Sequence, residues 1–292
     1  MNHHVRVMTN TRATLGEGAI WCSRDDALYW VDIINGVVHS LESPSRRTRV
    51  FSVDQFVGTV VPRKSGGLIL ALQHGLAALD TKTGNVELIC DRIHGASTHR
   101  FNDGKCDPAG RLWVGTISMD DTSGTSALYR IAPDHSVECM CTGVTNSNGI
   151  AWSLDQATMY YIDTPTRQVS AFDYNIVSGE IHNRRVAISV PEEMGYPDGM
   201  SIDAQGNLWI ALWGGGCVSQ WDPNRGELLA TIGVPTSQVT SCAFGGPELR
   251  DLYITTARLG LDESALRKQP LAGALFCVET DVMGVPAFEF AG

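Results

Sequence analysis

The 292-residue sequence has no block of Lys or Arg long enough to form a basic patch, and its formal net charge is −10 at pH 7. Nucleic acid and anionic membrane surfaces are therefore poor partners, because both are bound through clustered cationic side chains. No apolar run approaches the roughly 20 residues that a transmembrane helix needs. The N-terminus, Met1-Asn2-His3-His4-Val5-Arg6, lacks the charged-then-apolar order of a secretion signal. Long amphipathic helices are missing, and so is the G-x-S-x-G turn of serine hydrolases. Eight cysteines are scattered at 22, 90, 106, 139, 141, 217, 242 and 277. A chain of this size without a signal needs no disulfide frame, so the thiols read as reduced and the compartment as cytoplasmic. Cys139 and Cys141 fall on a predicted strand and point to one face, but no second Cys or His pair stands at zinc-finger spacing.

What fills the chain instead is short alternating apolar runs separated by Gly, Asp, Asn and Pro, the pattern of an all-β protein. The runs repeat. Apolar-aromatic segments begin at Leu28, Leu68, Leu112, Met159, Leu208 and Leu252, at intervals of 40 to 49 residues. That interval is the period of a four-stranded propeller blade. A turn rich in Asp or Gly precedes each segment, as in Asp107-Pro108-Ala109-Gly110 and Asp203-Ala204-Gln205-Gly206. A hairpin follows, as in Ala78-Leu79-Asp80-Thr81-Lys82-Thr83-Gly84-Asn85-Val86. Six such units predict one six-bladed β-propeller spanning residues 1–292, each blade burying its faces against its neighbours. Closure would come from the N-terminal Val5-Arg6-Val7-Met8 completing the last blade, since an open seam leaves strand edges exposed. Asp25, Asp107, Asp155 and Asp203, in the outer turns, are read as turn caps.

The segment before each turn is the innermost strand, and its start faces the central channel. Aligning the six copies gives Glu17, Val57, Asp103, Asn148, Asp198 and Ser241 at one position. Four of these carry a side-chain oxygen next to a Gly, and Ser241 adds a possible fifth. One Asp-Gly is turn chemistry; four at repeat-equivalent places converge on an axis. An oxygen cluster with two or three carboxylates and no His or Cys suits a hard divalent cation, Ca²⁺, Mg²⁺ or Mn²⁺, ahead of Zn²⁺ or Fe²⁺. Arg100 and Asn102 supply a fixed donor fork and a mixed donor and acceptor beside it. His94 and His99 fall on the same side and are read as surface or packing residues.

The motifs Leu15-Gly16-Glu17-Gly18, Arg100-Phe101-Asn102-Asp103-Gly104-Lys105, Ser147-Asn148-Gly149-Ile150-Ala151-Trp152 and Tyr196-Pro197-Asp198-Gly199-Met200 together resemble the regucalcin (senescence marker protein)/gluconolactonase/luciferin-regenerating-enzyme family. Thr240-Ser241-Cys242-Ala243-Phe244, Thr256-Ala257-Arg258 and Gln269-Pro270-Leu271-Ala272-Gly273 extend the likeness over nearly the whole chain. The resemblance implies a six-bladed propeller with one divalent cation at its centre, Ca²⁺ first among the candidates, held by Glu17, Asn148 and Asp198. It further implies Arg100 and Asn102 as substrate binders, Asp198 as acid/base, and Asp103 close to the cation. Ser118–Thr125 falls where family members carry a substrate-covering loop, shorter here than in the animal regucalcins and without their paired glutamates. Asp120 is expected to stand in for one of them. The implied activity is hydrolysis of an aldono-1,4- or 1,5-lactone by a monomer whose partner is the small sugar lactone. The alternatives are a calcium-binding regulator and a non-enzymatic propeller platform.

Overall fold

Alternation of apolar and polar residues lets a strand bury one face, but five of the six Leu- or Met-initiated segments are apolar on both. They are accordingly the second strand of a sheet packed on two sides. In the computed structural model, which describes residues 4–73, 75–91 and 98–292, these segments lie in six antiparallel four-stranded sheets. The sheets form a six-bladed β-propeller. Trp30 and Trp113, from second strands, and Phe101 and Phe276 are fully buried; removing side chains of this size from a core costs about 3–5 kcal/mol.

The inner strands are Gly16–Cys22, Val57–Pro62, His99–Cys106, Ser147–Trp152, Tyr196–Ile202 and Val239–Gly245, numbered here as blades one to six. Closure follows the sequence reading. Arg6–Thr9 pairs antiparallel with Leu275–Glu279 and becomes the outer strand of blade six. The last residues do something else: they cross the end of the channel opposite the site. Gly284 bridges Asp203, Phe290 bridges Arg63, and the Ala291 amide donates to Gly110 O at 2.9 Å. Under this strap, Trp21, Trp152, Phe244 and Phe288 line an apolar cavity of about 280 Å³.

Two of the turn aspartates do more than cap. Asp107 and Asp203 are completely buried. Asp107 accepts from the Ala109 and Arg111 amides, from Arg111 Nε at 2.6 Å, from Trp113 Nε1 at 2.9 Å, and across the blade boundary from Tyr174 Oη at 2.8 Å. Asp203 likewise takes Trp209 Nε1 at 2.9 Å. Asp155 caps its own turn through the Ala157 amide, and Asp25 takes the Tyr29 hydroxyl at 3.0 Å. The Cys139/Cys141 pair is not in simple alternation, because Cys141 pairs with Leu128 while Cys139 pairs with Tyr129, so a bulge falls at Met140.

Every inner strand carries a bulge at the same height. Between one ladder pair and the next, the inner strand has one more residue than its partner: Gly18-Ala19 stand against Trp30, Asn102-Asp103 against Gly115, Asn148-Gly149 against Ile162 and Asp198-Gly199 against Ala211, while Gly58 and Thr240 have no residue opposite them. An extra residue bends a strand and re-aims its side chain. The register therefore corrects the sequence alignment in four blades. The positions equivalent to Asn148 and Asp198 are Gly18, Gly58, Asn102 and Thr240, whereas Asp103 and Ser241 stand one residue further on and Glu17 and Val57 one residue earlier. Alignment on the following glycine misplaced blade three because both of its bulge residues are polar and Gly104 pairs beyond the bulge, opposite Val114.

Candidate functional site

The bulges gather Glu17, Asn102, Asp103, Asn148 and Asp198 at the channel mouth, all of them buried. The glycines that follow allow the strands to approach. A Cβ on Gly149 would lie 2.8 Å from Asp198 O, and one on Gly199 2.6 Å from Ser241 Oγ. Among the bulge glycines only Gly18 has a positive φ, +59°, and its amide donates to its neighbour's carboxylate, Glu17 Oε2, at 3.0 Å. Pro197-Asp198-Gly199 is thus part of a strand and not a turn, and its glycine is there for contact distance.

Three buried carboxyl groups face two cations. Burial pushes the Glu17 carboxyl up to about 8; the Asp103 charge adds to this, and the Gly18 amide, Arg100 and Asp198 oppose it. Burial also raises Asp198 well above the ordinary carboxylate value, helped by Glu17 and Asp103 and opposed by Arg100. Asp103 is raised by burial against the pull of Lys105 and the Gly104 amide. The Arg100 guanidinium is brought down to about 10 by burial, with Glu17 and Asp198 holding it up. Lys105 is lowered by burial, opposed by Asp103, and its ammonium donates to Met200 O. With all five groups ionised the cluster has one negative charge in excess, in a place where an uncompensated charge is costly.

Two oxygens at this centre lack any partner: Asp103 Oδ2 and Asp198 Oδ1. Neighbouring polar groups are paired. Asp103 Oδ1 takes the Gly104 amide at 2.7 Å. Arg100 Nη1 donates to Phe101 O at 3.0 Å and to Asn102 Oδ1 at 2.8 Å. Asn102 Nδ2 donates to Ser147 O at 2.8 Å, to Asn148 Oδ1 at 3.0 Å and to Asn146 Oδ1 at 3.1 Å. Asn148 Nδ2 in turn donates to Thr164 Oγ1 at 2.7 Å. Orphaned carboxylate oxygens, an excess negative charge and all-oxygen donors fit a hard divalent cation. Among the described residues, no three Asp, Glu, His or Cys side chains form a cation cage by themselves, so the Asn148 amide is needed to complete one. The apolar cavity at the opposite mouth touches this cluster only through Lys105.

Residues 15–258 match the family described as SMP-30/Gluconolactonase/LRE-like region. The chain belongs to that family. Regucalcin of Danio rerio is 40% identical over 291 residues, which are 99% of this chain and 98% of its own. YvrE of Bacillus subtilis strain 168, a sugar lactone lactonase candidate, is 37% identical over 283 residues, 97% of each chain. The crystal structure of a calcium-binding protein, regucalcin, from Agrobacterium tumefaciens strain C58 superposes with a TM-score of 0.94. It is 28% identical and covers 99% of this chain and 98% of its own.

Other residues named from the sequence are distributed unevenly around this cluster. Asp120 is exposed on the hairpin after Leu112–Ser118, where its carboxylate accepts from the Ser118 and Thr122 hydroxyls of its own turn. The Ser118 bond lowers its pKa. His99 is buried and bridges the Thr98 and Thr125 hydroxyls at 3.2 and 3.0 Å, a packing role for that hairpin. His94 lies outside the described residues. Three contributors escaped the sequence reading. Lys105 counterbalances Asp103; Asn146, held at its amide by Asp163 Oδ1 at 2.9 Å, receives Asn102; and Thr164 receives Asn148. Only Lys105 had a signal, its place in the Arg100–Lys105 motif.

Proposed function

We propose that the protein hydrolyses a sugar lactone, an aldono-1,4- or 1,5-lactone, to the open aldonic acid with the help of one divalent cation. The observation that carries this reading is Asp198: buried, protonated readily, with one oxygen free of partners, beside Glu17 and Arg100 at the channel mouth. Glu17, Asn148 and Asp198 would hold the cation, and Asp103 Oδ2 is within the same charge cluster. Ca²⁺ is the first candidate from the oxygen donors, with Mg²⁺, Mn²⁺, Zn²⁺ and Fe²⁺ behind it. Bound there, such an ion supplies a Lewis acid for the lactone carbonyl.

The chain's own groups do the rest. Asp198 takes a proton from the attacking water as its oxygen bonds to the carbonyl carbon, and returns it to the ring oxygen as the ring C–O bond breaks. Burial raises the Asp198 pKa and a bound cation would lower it, so the two together leave a carboxylate that is ionised and still able to accept a proton. Arg100 Nε and Nη2 make no hydrogen bond among the described residues, and we assign them to substrate oxygens. Asn102 Oδ1 keeps one lone pair for a sugar hydroxyl after accepting from Arg100. Asp120 has Oδ1 engaged by the Ser118 and Thr122 hydroxyls, and Oδ2 is the oxygen we assign to a substrate hydroxyl.

In this reading the partner is the small lactone, the protein acts as a monomer in the cytoplasm, and neither nucleic acid nor membrane is bound. Among the described residues no helix is long and apolar enough to cross a membrane. The Agrobacterium relative is named a calcium-binding protein, which favours a second reading in which calcium binding is the function. Acid release from a panel of pentono- and hexonolactones separates the two. Turnover on one of them supports the lactonase; Ca²⁺ binding with no turnover on any supports the second reading.

A further inference from the structure

The Asn148 side chain can ligate a cation only through Oδ1, so its usefulness depends on which way its amide is turned. Two groups of unambiguous role decide this. Pro197 O can only accept, and it takes the single hydroxyl hydrogen of Thr164 at 2.8 Å. That leaves the Thr164 oxygen as an acceptor, so Asn148 must present Nδ2 to it, at 2.7 Å. At the other end Arg100 can only donate, and it fixes Asn102 Oδ1 at 2.8 Å. Asn102 therefore turns Nδ2 towards Ser147 O and Asn148 Oδ1, at 2.8 and 3.0 Å. The hydrogen bonds from Arg100 through Asn102, Asn148 and Thr164 to Pro197 all run in one direction, and reversing either amide would set donor against donor or acceptor against acceptor.

We infer that Thr164 is a positioning residue: its hydroxyl selects the amide orientation of Asn148 and ties it to the strand that carries Asp198. Thr164 opens a single 3₁₀ turn, Thr164–Thr166, in blade four, and Pro197 is the residue before Asp198 in blade five. One hydroxyl thus couples the two strands on which a cation would depend. For the cation, the inference rests on the function proposed above. Partners that orient a ligand in this way are worth about 10–100-fold in metal affinity.

Two readouts test it. In the metal-free protein, the Asn148 side-chain NH₂ signals should exchange slowly with solvent in wild type and Thr164→Ser and much faster in Thr164→Val. Equal exchange in wild type and Thr164→Val overturns the relay whether or not the protein binds a metal. In Ca²⁺ titrations, Thr164→Val should weaken binding about tenfold or more, with Thr164→Ser close to wild type. The same loss should shrink to less than twofold in an Asn148→Asp background, because a carboxylate presents oxygen in either orientation. A Thr164→Val loss that persists unchanged beside Asn148→Asp would make Thr164 a packing residue and overturn the inference. Failure of wild type itself to bind any divalent cation counts against the proposed function, and the exchange measurement still judges the relay.

Discussion

Cation binding at this site should be strongly pH-dependent, and the structure fixes the direction and the range. In the metal-free state the Glu17 carboxyl holds its proton up to about 8, because burial and the Asp103 charge disfavour the anion. Asp198 is raised by burial first, with the Glu17 charge as the larger of its two like-charge causes. A divalent cation needs both groups ionised, so binding must release at least one proton. One released proton makes the apparent association constant rise about tenfold per pH unit below the folded-state pKa. Between pH 6 and pH 8 the Glu17 proton alone should therefore give a gain of roughly 100-fold, about 2.7 kcal/mol, and release of the Asp198 proton adds to it. Isothermal titration with Ca²⁺ in buffers of different ionisation enthalpy gives both the affinity and the proton count. A dissociation constant unchanged between pH 6 and pH 8, with no proton released, would refute the electrostatic picture. Stability follows with the same sign. A buried carboxyl with a raised pKa favours the folded state fully below its unfolded value of 4.5, and this contribution is lost as pH rises through about 8. The metal-free protein should melt progressively lower over that window, and saturating Ca²⁺ should abolish the decline.

Further outcomes are as specific. Asp198→Asn and Glu17→Gln should lower lactone turnover by about 100-fold or more, as expected for loss of a base or of a cation ligand, while both melt higher than wild type in metal-free buffer at pH 8; lower melting would mean that the buried charges are better compensated than described. Asp107→Ala leaves the Arg111 guanidinium, the Trp113 indole and the Tyr174 hydroxyl without their common acceptor. It should cost about 3–5 kcal/mol in chemical denaturation with kcat per folded molecule preserved. Deleting residues 1–9 removes the outer strand of blade six and exposes the Leu275–Glu279 edge. The truncated protein should lose several degrees in melting temperature and associate at high concentration in sedimentation, since an unpaired edge recruits other strands; an unchanged monomeric melt would argue against closure by that strand.

The propeller was legible because its evidence is distributed. Six apolar-aromatic segments at a near-constant interval cannot be mimicked by one misread strand, and Val5–Met8 carried the alternation needed for the closing strand. The site was legible in blades one, four and five, where one oxygen-bearing residue precedes one glycine. It slipped by a residue in blade three, where Asn102 and Asp103 both fill the bulge and the glycine that follows belongs to the ladder. Register within a bulge depends on partner-strand hydrogen bonds, which sequence spacing does not encode. The role of the glycines is hidden for a related reason. A glycine selected for left-handed φ and one selected for contact with a neighbouring blade are the same letter, and Gly149 and Gly199 are of the second kind. Asp107 and Asp203 looked like rim caps because the turn is local, whereas the Trp and Tyr donors they gather come from other strands. Thr164 and Asn146 carried no pattern at all: their contacts cross from one blade to the next.

The central claim, that the carboxylates on the propeller axis hydrolyse a lactone with a bound cation, is tested most directly by acid release from the lactone panel. Wild type should be compared before and after chelator, with Asp198→Asn alongside. The account predicts turnover that chelator abolishes and added divalent cation restores, and that Asp198→Asn lacks in both conditions. Full turnover in chelator, or an Asp198→Asn variant as active as wild type, would contradict it.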